Sequence, residues 1–96
     1  MADTPQFIDG AHVLAAANIL RIEPTGKTRH YVGRRIVDDF AGLAIARYDA
    51  DPGVYLFYCD AEWNAITDSY HEELGGAYEQ AEFEFGPVEF IEPPHT

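Results

Sequence analysis

The chain has 96 residues, enough for one small domain, and 47% of them are hydrophobic, including six Phe, six Tyr and one Trp. That is too apolar for a disordered acidic tail and too short for a cofactor domain plus a substrate domain, and a single cysteine excludes both a disulfide framework and a multi-cysteine zinc site. A formal net charge of −11 sets the chain against phosphate backbones and anionic membrane surfaces.

Residues 1–10 read as a loose arm that Phe7 and Ile8 tack down. Residues 12–22 suit two structures. Val13, Leu14, Ala17 and Leu20 share a helical face, whereas Asn18–Glu23 suits a strand entering a turn at Pro24-Thr25-Gly26-Lys27. We expect strand at the end of this stretch, with His30–Val37 as the returning strand of a hairpin. Leu43–Tyr48 is a further strand, closed by the turn cluster Asp49-Ala50-Asp51-Pro52-Gly53. Val54–Cys59 is apolar or aromatic throughout, which predicts a central strand covered on both faces.

Asp60-Ala61-Glu62 turns the chain, and Trp63–Thr67 returns as a shorter strand. Ser69 followed by Glu72 has the spacing of a capping box, and Tyr70, Leu74, Ala77, Tyr78, Ala81 and Phe85 then recur at helical steps. This predicts one main helix over about 70–85, stopped by Gly86-Pro87. Gly75-Gly76 opposes it, since each glycine costs ~1 kcal/mol against alanine inside a helix. Val88–Glu92 reads as a last short strand, and residues 93–96 as a frayed tail. The expected fold is a single α+β domain: a mostly antiparallel sheet of about five to six strands, with the helix packed on one face.

The charge is unevenly placed. Residues 1–48 hold all six bases, Arg21, Lys27, Arg29, Arg34, Arg35 and Arg47, against five acids. Residues 49–96 hold twelve acids and no Lys or Arg. The run Lys27, Arg29, Arg34, Arg35 is the one stretch basic enough for nucleic acid, and the global field opposes it. We therefore expect no nucleic-acid and no membrane partner, and attraction for a basic protein; simple solubility is the competing reading. A homo-oligomer is also compatible with the sequence. The first ten residues lack a positively charged leader, and the longest apolar runs fall far below a membrane span, so the expected setting is reducing and cytoplasmic.

The segment Tyr55-Leu56-Phe57-Tyr58-Cys59-Asp60, followed by Trp63, Thr67-Asp68, His71 and Gln80-Ala81-Glu82-Phe83-Glu84-Phe85, resembles a group of short bacterial proteins of unknown function. These share a strand–turn–strand–helix core, here residues 54–86. More loosely, a strand pair before an acidic amphipathic helix is similar in architecture to small antitoxin and immunity proteins. That likeness implies a fold and no chemistry.

Several constellations invite a chemical reading. Cys59 and His71 have the makings of a nucleophile and base, but the predicted strands set them roughly 15–20 Å apart at ~3.3 Å per residue. The same topology gathers Asp49, Asp51, Asp68, His71 and Glu72 at one end of the sheet, where carboxylates and an imidazole suit a divalent cation, the one cofactor the sequence allows. Each is equally an ordinary turn or helix-start residue. His71-Glu72-Glu73-Leu74-Gly75 begins like a zinc-protease helix but lacks the second histidine. His12, His30 and His95 have no partner at ligand spacing. Trp63 and Tyr70 suit the core or its rim better than a ligand cage.

The favoured reading is a non-catalytic protein-interaction or inhibitor module, immunity-like, rather than an enzyme. Its contacts would be Glu72, Glu79 and Glu82, on a helix flanked by further exposed acids Glu73 and Glu84. The alternative is a small metal-dependent enzyme using the acidic end.

Overall fold

A computed structural model describes residues 1–37 and 39–93. In chain order the elements are β1 (Phe7–Ile8), β2 (Ala11–Asn18), β3 (His30–Val32), β4 (Arg35–Val37), β5 (Gly42–Arg47), β6 (Val54–Cys59), β7 (Ala65–His71) and α1 (Leu74–Phe85). Five strands form an antiparallel sheet in the order β1-β2-β5-β6-β7, while β3 and β4 pair only with each other. The architecture is α+β, as the sequence predicts. The apolar runs of β5 and β6 occupy the middle, where both faces of a strand are covered.

Strand alternation divides the core in two. Leu43, Ile45, Val54, Leu56 and Tyr58 face α1, which covers them with Ala77, Ala81 and Phe85. Ala11, Val13, Ala16, Ala44, Ala46, Phe57 and Cys59 face the other way and pack with Ile8 and Trp63. Four of these are alanines, so little volume holds this face flat, and the sheet curls around it. Its two edges approach each other: Phe7 and Ile8 of β1 line one groove together with Ala65–Asp68 of β7 and Phe57 between them.

Several sequence expectations need correction. Residues 11–18 are strand through the alanine run, and Asn18–Glu23 is largely the exit from it. Pairing with β1 and β5 outweighs the helix preference of alanine. A bulge between Val13 and Ala15 takes up the additional residue, Leu14. His30–Val37 is a complete hairpin turning at Gly33 (φ +66°), not one strand. Residues 88–92 form no strand; Ile91 bridges Ala16 alone, on the edge of β2 that β1 leaves free.

The arm at 1–10 is docked. The Ala2 N–H donates to the Ala61 carbonyl (3.0 Å), and Trp63 Nε1 donates to the Ala2 carbonyl (2.9 Å). Trp63 is a buried core residue, held at φ +65° by a turn in which Asp60 accepts the Glu62 and Asn64 N–H groups. Those bonds hold the Asp60 carboxyl below the usual carboxylate range. Of the tail expected at 93–96, only Pro93 is among the described residues.

The boundary between β7 and α1 is the largest revision. β7 runs to His71, pairing Ser69, Tyr70 and His71 with Leu56, Tyr55 and Val54, so Ser69 caps no helix. α1 starts four residues later than predicted, with Glu73 as an extended N-cap. Gly75-Gly76 thereby falls in the first turn, where much of the backbone has no intrahelical partner to lose. The buried stripe is Ala77, Ala81, Glu84 and Phe85; Leu74 and Tyr78 are exposed. Among the described residues no helix is long and apolar enough to cross a membrane.

Gly53 shows how closely the turn before β6 packs on β7. A Cβ there would stand 2.6 Å from the His71 carbonyl oxygen and overlap the Tyr70 phenol. Gly53→Ala is expected to destabilise the fold by about 1–3 kcal/mol through overpacking. Urea unfolding against wild type measures this.

Candidate functional site

Glu84 follows Ala77 and Ala81 at steps of seven and three, which puts its carboxylate under α1 against the sheet. It is 3% exposed, although the sequence reading places it among the solvent-facing acids. Its Oε2 accepts the hydroxyl of Tyr58, a buried residue of β6. Its Oε1 faces Nε2 of His30, the first residue of β3. The His30 ring lies 4.1 Å from the Tyr58 ring and edge-on to Phe40 at 5.3 Å. Burial, with the neighbouring carboxylate adding to it, raises the Tyr58 pKa far above that of a free phenol.

The residues that lead into the hairpin also close the helix. Thr25 donates its N–H to the Glu84 carbonyl (2.7 Å) and its hydroxyl to the Phe83 carbonyl (2.8 Å). These are C-terminal carbonyls with no partner inside the helix. Gly86, at φ +73°, donates to the Glu82 carbonyl. Lys27 Nζ sits 5.2 Å from the centre of the exposed Phe83 ring. Farther along the same sheet face, His71 Nε2 and Ser69 Oγ are 2.9 Å apart. Burial lowers the His71 pKa, and the Glu84 charge partly opposes that.

A carboxylate, a phenol and imidazoles have the chemistry of acid–base catalysis. The room beside them is small. The cavity beside them, lined by Pro24, Thr28, His30, Val37, Phe40, Glu84 and Phe85, measures about 20 Å³. That admits about one water molecule. The cluster fastens hairpin, helix and sheet together.

The predicted metal ligands are not brought together. Because β7 continues through His71, its period of two puts Asp68 opposite Phe57 on the concave face and His71 opposite Val54 on the helix face. Asp51 is occupied: it accepts the Gly53 N–H (3.0 Å), the Tyr70 hydroxyl (3.2 Å) and the Tyr55 hydroxyl (3.3 Å). Asp49 and Glu72 are exposed. Among the described residues, no three of His, Cys, Asp and Glu are placed to hold one ion. Cys59 pairs with Ala65 at the far end of β7 from His71, and on the opposite face. It is fully buried, which pushes its thiol up to about 12.

The predicted contact residues divide as well. Glu79 and Glu82 lie three apart on the exposed side of α1, while Glu72 precedes the helix and does not extend that row. The groove between β1 and β7 holds about 540 Å³ and is open to solvent. Asp9, Glu62 and Asp68 line it, over a floor of Phe7, Ile8 and Phe57. Sequence reasoning missed this groove, because nothing local announces which strands end a sheet. It also missed His30, Tyr58 and Glu84, although the spacing of Glu84 from Ala77 and Ala81 was already a signal.

Replacing Glu84 by glutamine leaves one acceptor oxygen for the Tyr58 hydroxyl and His30 together, and turns an amide donor toward the other. Glu84→Gln is expected to cost about 1–3 kcal/mol in denaturant unfolding. Glu82→Gln, at an exposed site on the same helix, should stay within about 0.5 kcal/mol of wild type. His71 gives a pH signature. Its folded pKa lies below 6.5, so between the two values the unfolded chain binds more protons. Its contribution therefore favours folding above 6.5 and weakens as pH falls toward the folded value. Thermal midpoints taken from pH 7 to 5 should fall less steeply for His71→Gln than for wild type.

No family model, curated protein or solved structure matches the chain. The likeness of residues 54–86 to short bacterial proteins of unknown function therefore rests on the residue pattern alone.

Proposed function

We propose that the chain is a non-catalytic interaction module, of the inhibitor or immunity-like kind, with a basic protein surface as its partner. One observation carries this reading: its exposed carboxylates lack counter-ions. Glu72, Glu73, Glu79 and Glu82 line α1 and its approach, and Asp9, Glu62 and Asp68 line the groove. Among the described residues, none of these seven is within ion-pair distance of a Lys or Arg, and the last base in the chain is Arg47. Fields of one sign attract and orient a partner of the other.

The titratable cluster supports the non-catalytic part, because the space beside it has room for about one water. A free, buried cysteine also suits the reducing cytoplasm in which such a module would work.

The test is affinity capture from native lysate at low ionic strength. The bait is wild type, beside a variant neutralised by Asp9→Asn, Glu62→Gln, Asp68→Asn, Glu72→Gln, Glu79→Gln and Glu82→Gln. Circular dichroism checks that both are folded. The expected result is a basic protein held by wild type, released by about 0.2 M salt and not held by the variant. Retention of the same partner by the variant, or indifference to salt, overturns the proposal.

A further inference from the structure

We infer that the groove between β1 and β7 is the docking site for that basic partner, and that the partner enters as an extended segment adding a strand to β7. This rests on the reading of a basic partner and gives it a place and a backbone conformation.

β7 is an edge strand whose ladder runs to β6 alone. β3 approaches it without pairing to it. An unpaired edge offers a row of N–H and C=O groups to any extended chain laid beside it. The groove follows this edge closely, since the consecutive residues Asn64, Ala65, Ile66, Thr67 and Asp68 all line it. Its other wall is the arm and β1, so the groove is the opening left by a sheet that curls without closing. One more strand there narrows the opening.

Charge selects the occupant. Asp9, Glu62 and Asp68 rim the groove, and no Lys or Arg lines it. A second copy is disfavoured by register. Asp68 is the central residue of Ala65–His71, so two antiparallel β7 strands in full register would set Asp68 against Asp68. Like charges directly opposite destabilise a strand pair, whereas Lys or Arg opposite Asp68 stabilises it. The occupant is therefore an extended basic segment of another protein, alternating cationic and apolar residues.

The probe is a seven-residue peptide alternating arginine and valine, titrated at low salt into the ¹⁵N-labelled full chain. Its control is the same peptide N-methylated at every backbone nitrogen, which keeps the charge and loses the donors. The inference requires amide shifts concentrated in residues 65–71 and 7–8, and binding weaker by about tenfold or more for the methylated peptide. Asp68→Lys should weaken binding by a similar factor, with Asp68→Asn as the milder variant if the first fails to fold. The combined Glu72→Gln, Glu79→Gln and Glu82→Gln variant, which thins the acidic field and leaves the β7 edge intact, should weaken both peptides by the same, smaller factor. Shifts confined to α1, with loss in that helix variant, would overturn the groove and leave the basic-partner reading standing. Equal binding of both peptides, no binding of either, or concentration-dependent shifts at β7 without peptide would each overturn the inference. Failure of the capture experiment, by contrast, bears on the basic-partner reading itself.

Discussion

One buried carboxylate sets the arrangement of everything packed on the outer face of the sheet. Taking a charged group out of water costs several kcal/mol unless its lone pairs are satisfied in place. Glu84 meets that condition only when Tyr58 is below it and His30 beside it. Tyr58 belongs to β6, His30 to the hairpin and Glu84 to α1, so one group fixes three elements relative to one another. The hairpin needs this more than the others do. Tyr31, Val32 and Ile36 are largely exposed, so it buries little of its own apolar surface. Its attachment rests on His30 and Thr25, with Val37 packed at the margin of the core.

The two faces of the sheet behave differently because their residues differ in size. Leucine, isoleucine, valine and tyrosine on the outer face fill the space beneath a short helix whose own contact residues are mainly alanines and one phenylalanine. The inner face carries alanine at 11, 16, 44 and 46, which lets the sheet bend until its edges flank a groove. Beside Glu84 and His30 the outer face leaves a space for about one water. The inner face stays open along one edge. Tyr58, His30 and Glu84 lie on the helix side, and uncompensated charge lies both along α1 and along the groove.

How much of this was legible follows from range. Val54–Cys59 was readable as a central strand because an all-apolar run is covered on both faces whatever its neighbours are. The turns at 49–53 and 60–62 were readable because Pro, Gly and Asp act within a few residues. The start of α1 was not. Ser69 and Glu72 satisfy a local capping rule, yet three long-range pairs with β6 hold Ser69–His71 extended. The same competition decided the alanine run of β2, open between helix and strand in the sequence, for strand. The acidic site failed for a related reason: carrying β7 four residues further, to His71, kept Asp68 and His71 on alternate faces. The His30–Glu84 contact spans 54 residues, and no local pattern contains it.

The excess of acid also has a bearing on why an open edge is tolerated. A free β7 would template pairing between copies, which soluble proteins suppress with charge on the edge strand. Asp68 stands at the centre of that strand, and Glu62 and Asp9 reinforce its field across the groove. The repulsion penalises a second copy at the point where two β7 strands would coincide. It does not penalise a chain that brings a cation to the same point. Under the proposed docking, a single carboxylate would discriminate by sign, opposing a second β7 at Asp68 and favouring a cation there. The missing bases of residues 49–96 would serve that same selection, since any Lys or Arg lining the groove would weaken both effects together.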